Sequence, residues 1–421
     1  MTFTTDQIML TLAGLAYRGF QDALPGEPHE FIVRRAVLDG LSTLAPVRGD
    51  WELVWGPVTS RAPLGVFDSN AMYVVRSRQA RHRYVVAVRG TNPIASSDWL
   101  FGDFLIGTTV RWPYSTDGAA ISTSTALGLA ALQGMRARPP STIARFAEAS
   151  SAAVGDALHG LVRAGRASVS GTTDAQVANP SSLDAQVERI MAHWSLGHAS
   201  RDRLRDQLRR AGSDAHLEPA ALRRTLLPAG SRDGGLDLLT FLRSQADEGG
   251  DALDVAVTGH SKGGALAPTV ALWLRAALDS MDPEECWDTT RRARVSCHGF
   301  AGPTPGNSAF ARQVEQRLGE NHHQLKNVND LATHAWRVDE LRQIPELYGS
   351  RSAPFGPLVS GVIESVRDLD YRHPQVGVVQ FAGKLEPDRS LVVEAIHQHL
   401  DAYLAELGLL DQGISAVVFF I

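Results

Sequence analysis

Three kinds of residue in this chain could together perform acyl transfer: a serine set between glycines, carboxylates downstream of it, and a C-terminal pair of histidines. Gly259, Ser261 and Gly263 form Gly-x-Ser-x-Gly inside "VAVTGHSKGGALA", residues 255–267. A β-branched apolar run precedes the motif and a helical apolar pattern follows it. That context marks a nucleophile elbow, a turn so sharp that neighbouring segments leave no room for a Cβ. It would lift the Ser261 hydroxyl above the carboxyl ends of the strands and aim a helix N-terminus at a developing oxyanion. The alternative is a tight turn carrying an inert serine.

A serine hydroxyl needs a base, an orienting acid and an oxyanion hole, and in such folds the acid and then the histidine follow the serine along the chain. Asp330, in "KNVNDLATHAW", directly follows a predicted strand, whereas Asp339 sits in the charged stretch "RVDELRQ" and reads as a solvated carboxylate. Of the later histidines, His334 is only four residues past the acid and His373 precedes Pro374 as a turn residue. His397 and His399, in "VVEAIHQHLDAYL", are placed to swing over the serine, and position alone leaves the choice between them open. One oxyanion donor is expected from the backbone N–H of Lys262. The second is expected from Thr91, where "VVAVRGT" ends a predicted strand and Gly90 lets the backbone turn; one such donor is worth about 10²–10³ in turnover. Lys262 itself could pack its stem with the ammonium in water, face acidic groups of a substrate, or, if buried, pair with a carboxylate; the pair is the favoured reading, with Asp103 and then Asp98, in "SDWLFGDF", as the expected partners.

Together these segments resemble the class 3 (fungal-type) lipases of the α/β-hydrolase superfamily. "VAVRGT" looks like the family's oxyanion strand, and "VTGHSKGGALA" its elbow, commonly GHSLGGALA. "GFAGPTPGNSAFA", "NVNDLATHAW", "HLDAYL" and the N-terminal "LAGLAYRGF" are similar to further family segments. The resemblance spans about 1–134 and 231–405. It implies ester hydrolysis through an acyl-enzyme without a cofactor, with the triad acid on Asp330 and the base on His399. Lys262 departs from the commoner elbow and is seen in bacterial GHSKGG variants. A phospholipase A1-type antibacterial effector and a non-catalytic binding protein that kept the fold are the alternatives.

The elements that must position these residues are legible as strands at 71–78, 83–91, 253–261, 293–302, 323–330 and 376–384, with helical patterns between them. Strands alternating with helices predict an α/β fold, a mostly parallel sheet covered on both faces. The Ala-, Arg- and Ser-rich interval 136–230 has helical spacing and is expected to be an inserted cap or lid. The expected organisation is therefore 1–135 and 231–421 as the two parts of the hydrolase core, divided by 136–230.

The 421 residues carry 44% hydrophobic and 21% charged residues and a formal charge of −5, which is no electrostatic footprint for nucleic acid. Cys286 and Cys297 make neither a disulfide framework nor a metal cluster. The N-terminus reads as an amphipathic helix rather than a signal peptide, and no apolar run approaches the ~18 residues of a membrane span. The expected partner is an ester or lipid substrate met through transient contact with a lipid interface, in the cytoplasm or after export without a recognisable signal. The apolar tail "GISAVVFFI" and the oligomeric state are not decided by sequence.

Overall fold

The computed structural model describes residues 2–18, 29–61, 68–90, 106–138, 216–217 and 235–415. Seven strands form one sheet in chain order: β1 (Trp51–Arg61), β2 (Asp68–Ser77), β3 (Arg83–Arg89), β4 (Asp254–His260), β5 (Arg294–Phe300), β6 (His322–Asn327) and β7 (Val378–Phe381). The pairs β1–β2 and β2–β3 are antiparallel, and every later pair is parallel. Arg89 lies opposite His260, and His260 opposite Phe300. The carboxyl ends of β3, β4 and β5 therefore end level, and whatever follows each strand emerges on one sheet edge.

The predicted mostly parallel α/β architecture, an α/β-hydrolase fold, is the one the chain adopts. Sequence reading had no strand at β1. Its Gly56-Pro57 pair argues against a central strand, but β1 lies at the sheet edge, where a missing N–H is tolerated, and its register shifts around Leu53, Trp55 and Val58.

Strand alternation divides the core. Val86, Val88, Val255 and Val257 face a cluster with Leu266, Val270, Trp273, Trp287 and Phe310. Val85, Ala87 and Ala256 face the other way, onto Leu12, Tyr17, Phe300, Leu325 and Tyr403. The first side is covered by α3 (Thr123–Gln133), α4 (Leu238–Glu248), α5 (Lys262–Asp279) and α6 (Ser308–Leu318). The second takes α1 (Thr5–Leu15), α2 (His29–Thr43) and, late in the chain, α9 (Asp401–Glu406). Each buried Val or Leu contributes roughly 1.5–3 kcal/mol, which fixes which face each strand turns to which layer. The N-terminal helix differs from the amphipathic expectation, since Met9 through Leu15 are all buried. A third cluster, around Trp336, Leu341, Tyr348 and Val362, packs α7 (Gly356–Val366) beside α8 (Leu391–His399).

Arg136–Ala137 pairs antiparallel with Leu236–Asp237. Within the interval between them, His216–Leu217 pairs parallel with Thr109–Val110. Nearly all of the expected 136–230 cap lies outside the described residues. Among the described residues no helix is long and apolar enough to cross a membrane.

Candidate active site

Ser261 stands at the end of β4 with φ 57° and ψ −129°, a left-handed backbone that costs a non-glycine residue about 1–3 kcal/mol. The surrounding backbone holds it there. The Ser261 N–H donates to Phe300 O at 2.9 Å, and the Ser261 carbonyl accepts from Gly264 N at 2.8 Å as α5 begins. The serine occupies the N-cap of α5 without its side chain capping the helix, so the hydroxyl is not consumed there.

The glycines have a steric reason. A Cβ on Gly259 would lie 2.2 Å from Gly263 O, one on Gly263 would lie 2.5 Å from Val88 O, and one on Gly264 would lie 2.4 Å from Phe300 O. The elbow is therefore wedged between the ends of β3 and β5. The Lys262 stem packs on the end of β3, because a Cβ on Gly90 would lie 2.4 Å from Lys262 Cβ. Thr91, Asp98 and Asp103 fall outside the described residues, and with them the expected second oxyanion donor and the expected ion pair.

Asp330 lies three residues beyond the end of β6 rather than directly after it. It opens a 3-10 turn (Leu331–His334), and its Oδ1 accepts from Ala332 N at 2.9 Å. The carboxylate is fully buried. His399 Nδ1–H donates to it at 2.9 Å and 3.0 Å, and the Tyr403 hydroxyl donates to Oδ2 at 3.0 Å. Burial and the neighbouring Asp330 charge raise the Tyr403 phenol well above its usual range, so it remains a donor. Nδ1 bound to a carboxylate leaves the other ring nitrogen of His399 as the acceptor in the neutral imidazole. The same ring lies 4.8 Å from the ring of His260, the residue before the serine.

The remaining candidates are placed elsewhere. His397 lies on the outer side of α8, 3.7 Å from Asp401. His334 bonds Val328 O, and His373, buried, bonds Thr333 O. Asp339 is 58% exposed and paired with Arg337.

Supporting residues went unread in the sequence. Asn327 donates its N–H to Tyr403 Oη and its side chain to Gln398, whose own amide bonds the buried Glu394. These bonds hold α8 to β6, and so His399 to Asp330. Tyr17, just beyond α1, donates to His260 O at 2.8 Å, while Arg89 donates to Ala16 O and lies 6.0 Å from the Tyr17 ring. The tyrosines in "HLDAYL" and "LAGLAYRGF" were the available signal; their partners are distant in sequence. Among the described residues no group of three or more His, Cys, Asp or Glu side chains could hold a metal ion.

Residues 237–339 match the model of the lipase (class 3) family, a span that includes Ser261 and Asp330. No curated protein matches the sequence. Among solved structures, M37 lipase is 24% identical and superposes with a TM-score of 0.68, covering 100% of this chain and 98% of that one. Lipase II from Rhizopus niveus (16% identity, 80% and 77% coverage, TM-score 0.34) is also similar, as is the Rhizomucor miehei lipase–propeptide complex (14%, 80% and 66%, 0.35).

Proposed function

We propose that this chain, which matches the class 3 lipases over residues 237–339 and has the α/β-hydrolase fold, hydrolyses carboxylic esters through an acyl-enzyme on Ser261. The observation that carries the assignment of residues is the buried Asp330–His399 hydrogen bond lying against the elbow's own His260. In this reading Ser261 Oγ attacks the ester carbonyl while His399 takes its proton. The carbonyl oxygen becomes an oxyanion, met by the Lys262 N–H at the start of α5 and by Thr91. The intermediate collapses as His399 returns the proton to the departing alcohol. Water, deprotonated by the same imidazole, then attacks the acyl-enzyme, releasing the acid and restoring the serine. Asp330 keeps Nδ1 protonated and stabilises the transient imidazolium. The 136–230 insertion shapes access to the acyl pocket, and the substrate is met at a lipid interface.

Ser261→Ala is expected to abolish hydrolysis of a short p-nitrophenyl ester and labelling by a fluorophosphonate probe, with the circular dichroism spectrum unchanged. Retained turnover would move the nucleophile elsewhere, and an unlabelled wild-type serine would favour a non-catalytic protein. Esters of graded chain length and a phospholipid, each with and without an interface, separate esterase, lipase and phospholipase A1.

A further inference from the structure

The elbow histidine is buried, sits one residue before the proposed nucleophile, and takes no part in the proton transfers just described. His260 Nε2 lies 2.9 Å from the backbone oxygen of His399. A carbonyl can only accept, so Nε2 carries the proton. The acceptor is distinctive as well. His399 is the last residue of α8, and Leu400 leaves the helix with φ −120° and ψ −74°. The acceptor thus lies at the C-terminal end of the helix.

We propose that His260 is a positioning residue whose Nε2–H tethers the backbone of His399, and with it the imidazole that serves as general base. This rests on the ester-hydrolase reading. Asp330 orients that imidazole through Nδ1, from the β6 side. His260 fixes the main chain that bears it, from the β4 side, so the base is registered directly to the strand that carries the serine. Among the described residues three rings surround His260: His399 with centroids 4.8 Å apart, Tyr403 edge-on at 6.0 Å and Tyr17 edge-on at 6.2 Å. Among the described residues, the charged groups in contact with these rings are Asp330, bonded to His399 and Tyr403, and Arg89, set over Tyr17. Burial first, and then the neighbouring His399, hold His260 well below the usual histidine range. It stays neutral while His399 charges, and keeps a single tautomer through the cycle.

The test uses the full chain, a short p-nitrophenyl ester and the variants His260→Phe and His260→Gln. Phe keeps the ring without the donor, and the Gln amide N–H can stand where Nε2–H stood. We expect His260→Phe to lose roughly tenfold or more in kcat, the scale of a slightly misplaced catalytic group, at unchanged KM and with a displaced acid limb in the kcat/KM–pH profile. His260→Gln should restore both. His260→Phe with wild-type kcat and acid limb, or His260→Gln as impaired as His260→Phe, would overturn the tether. ¹⁵N spectra of the wild-type imidazoles test it whether or not either variant folds. A neutral, Nε2-protonated His260 across about pH 5–8 supports it, and an Nδ1-protonated or titrating His260 overturns it. Wild-type protein that neither cleaves esters nor takes the fluorophosphonate label would sink the hydrolase reading alone, since the spectra report the tether independently.

Discussion

Asp330 is fully buried and, among the described residues, is met by three donors: the His399 imidazole, the Tyr403 hydroxyl and the Ala332 N–H. A buried carboxylate without such donors would be costly, so the Tyr403 hydroxyl helps satisfy the Asp330 carboxylate in the interior. Tyr403→Phe removes one charge-assisted bond and also strands the Asn327 N–H that bonds the phenol oxygen. The expected outcome is about 1–3 kcal/mol lost from the denaturant midpoint free energy and kcat lowered by roughly tenfold at little change in KM. His397 and His399, two residues apart, separate cleanly at this scale. His399→Ala should lower kcat by about 10⁴-fold or more, while His397→Ala, altering only a partly exposed contact to Asp401, should stay within about twofold of wild type. Equal losses in the two variants would return the base to the unresolved pair.

At the scale of elements, α8 explains why that pair could not be separated by pattern. Its buried face is Glu394, Ala395, Gln398 and His399, the i, i+1, i+4, i+5 stripe of a helix. Val392 and Val393 are 62% and 53% exposed, whereas Glu394 is 0% exposed. Hydropathy thus points to the wrong face, because a polar network with Asn327 and Gln398, not apolar burial, sets the rotation of this helix. The elbow behaves oppositely. Its glycines are dictated by backbone atoms at van der Waals limits, so they are visible as sequence. Gly264→Ala would drive a Cβ to 2.4 Å from Phe300 O, and neither α5 nor β5 has a flexible atom there to yield. A loss of about 1–3 kcal/mol is expected, measurable as a lower thermal midpoint; an unchanged midpoint would show that the helix can slide on the sheet.

Across the whole molecule, burial of uncharged histidines ties stability to pH. Burial, reinforced by the nearby Lys326 charge, lowers His373 from 6.5 to about 4, and burial also lowers His260 and His322. Between those two values the unfolded chain binds the proton and the folded one does not, so stability is full above about pH 6.5 and falls as the pH drops toward 4. His373 alone accounts for roughly 3 kcal/mol of this. The thermal midpoint should therefore decline from pH 7 to pH 4.5. His373→Gln, which keeps a donor for Thr333 O, should flatten that decline, and an unaltered slope would place the titration elsewhere.

Sequence by itself determined the strand–turn–helix around Ser261 and the mostly parallel sheet. Each rests on neighbouring residues, on alternation every second position, or on the room a turn leaves for a side chain. It passed over β1, where Gly56-Pro57 hides an edge strand, and the tyrosines that brace the site. Tertiary structure alone decided that His399 and not His397 meets Asp330, that Tyr403 shares that carboxylate, and that Tyr17 and His260 join α1 and α8 to the elbow. Those are hydrogen bonds between residues 69, 73, 243 and 139 positions apart. Their donors and acceptors meet only once the sheet has brought β4, β5 and β6 side by side, and no local pattern encodes that meeting.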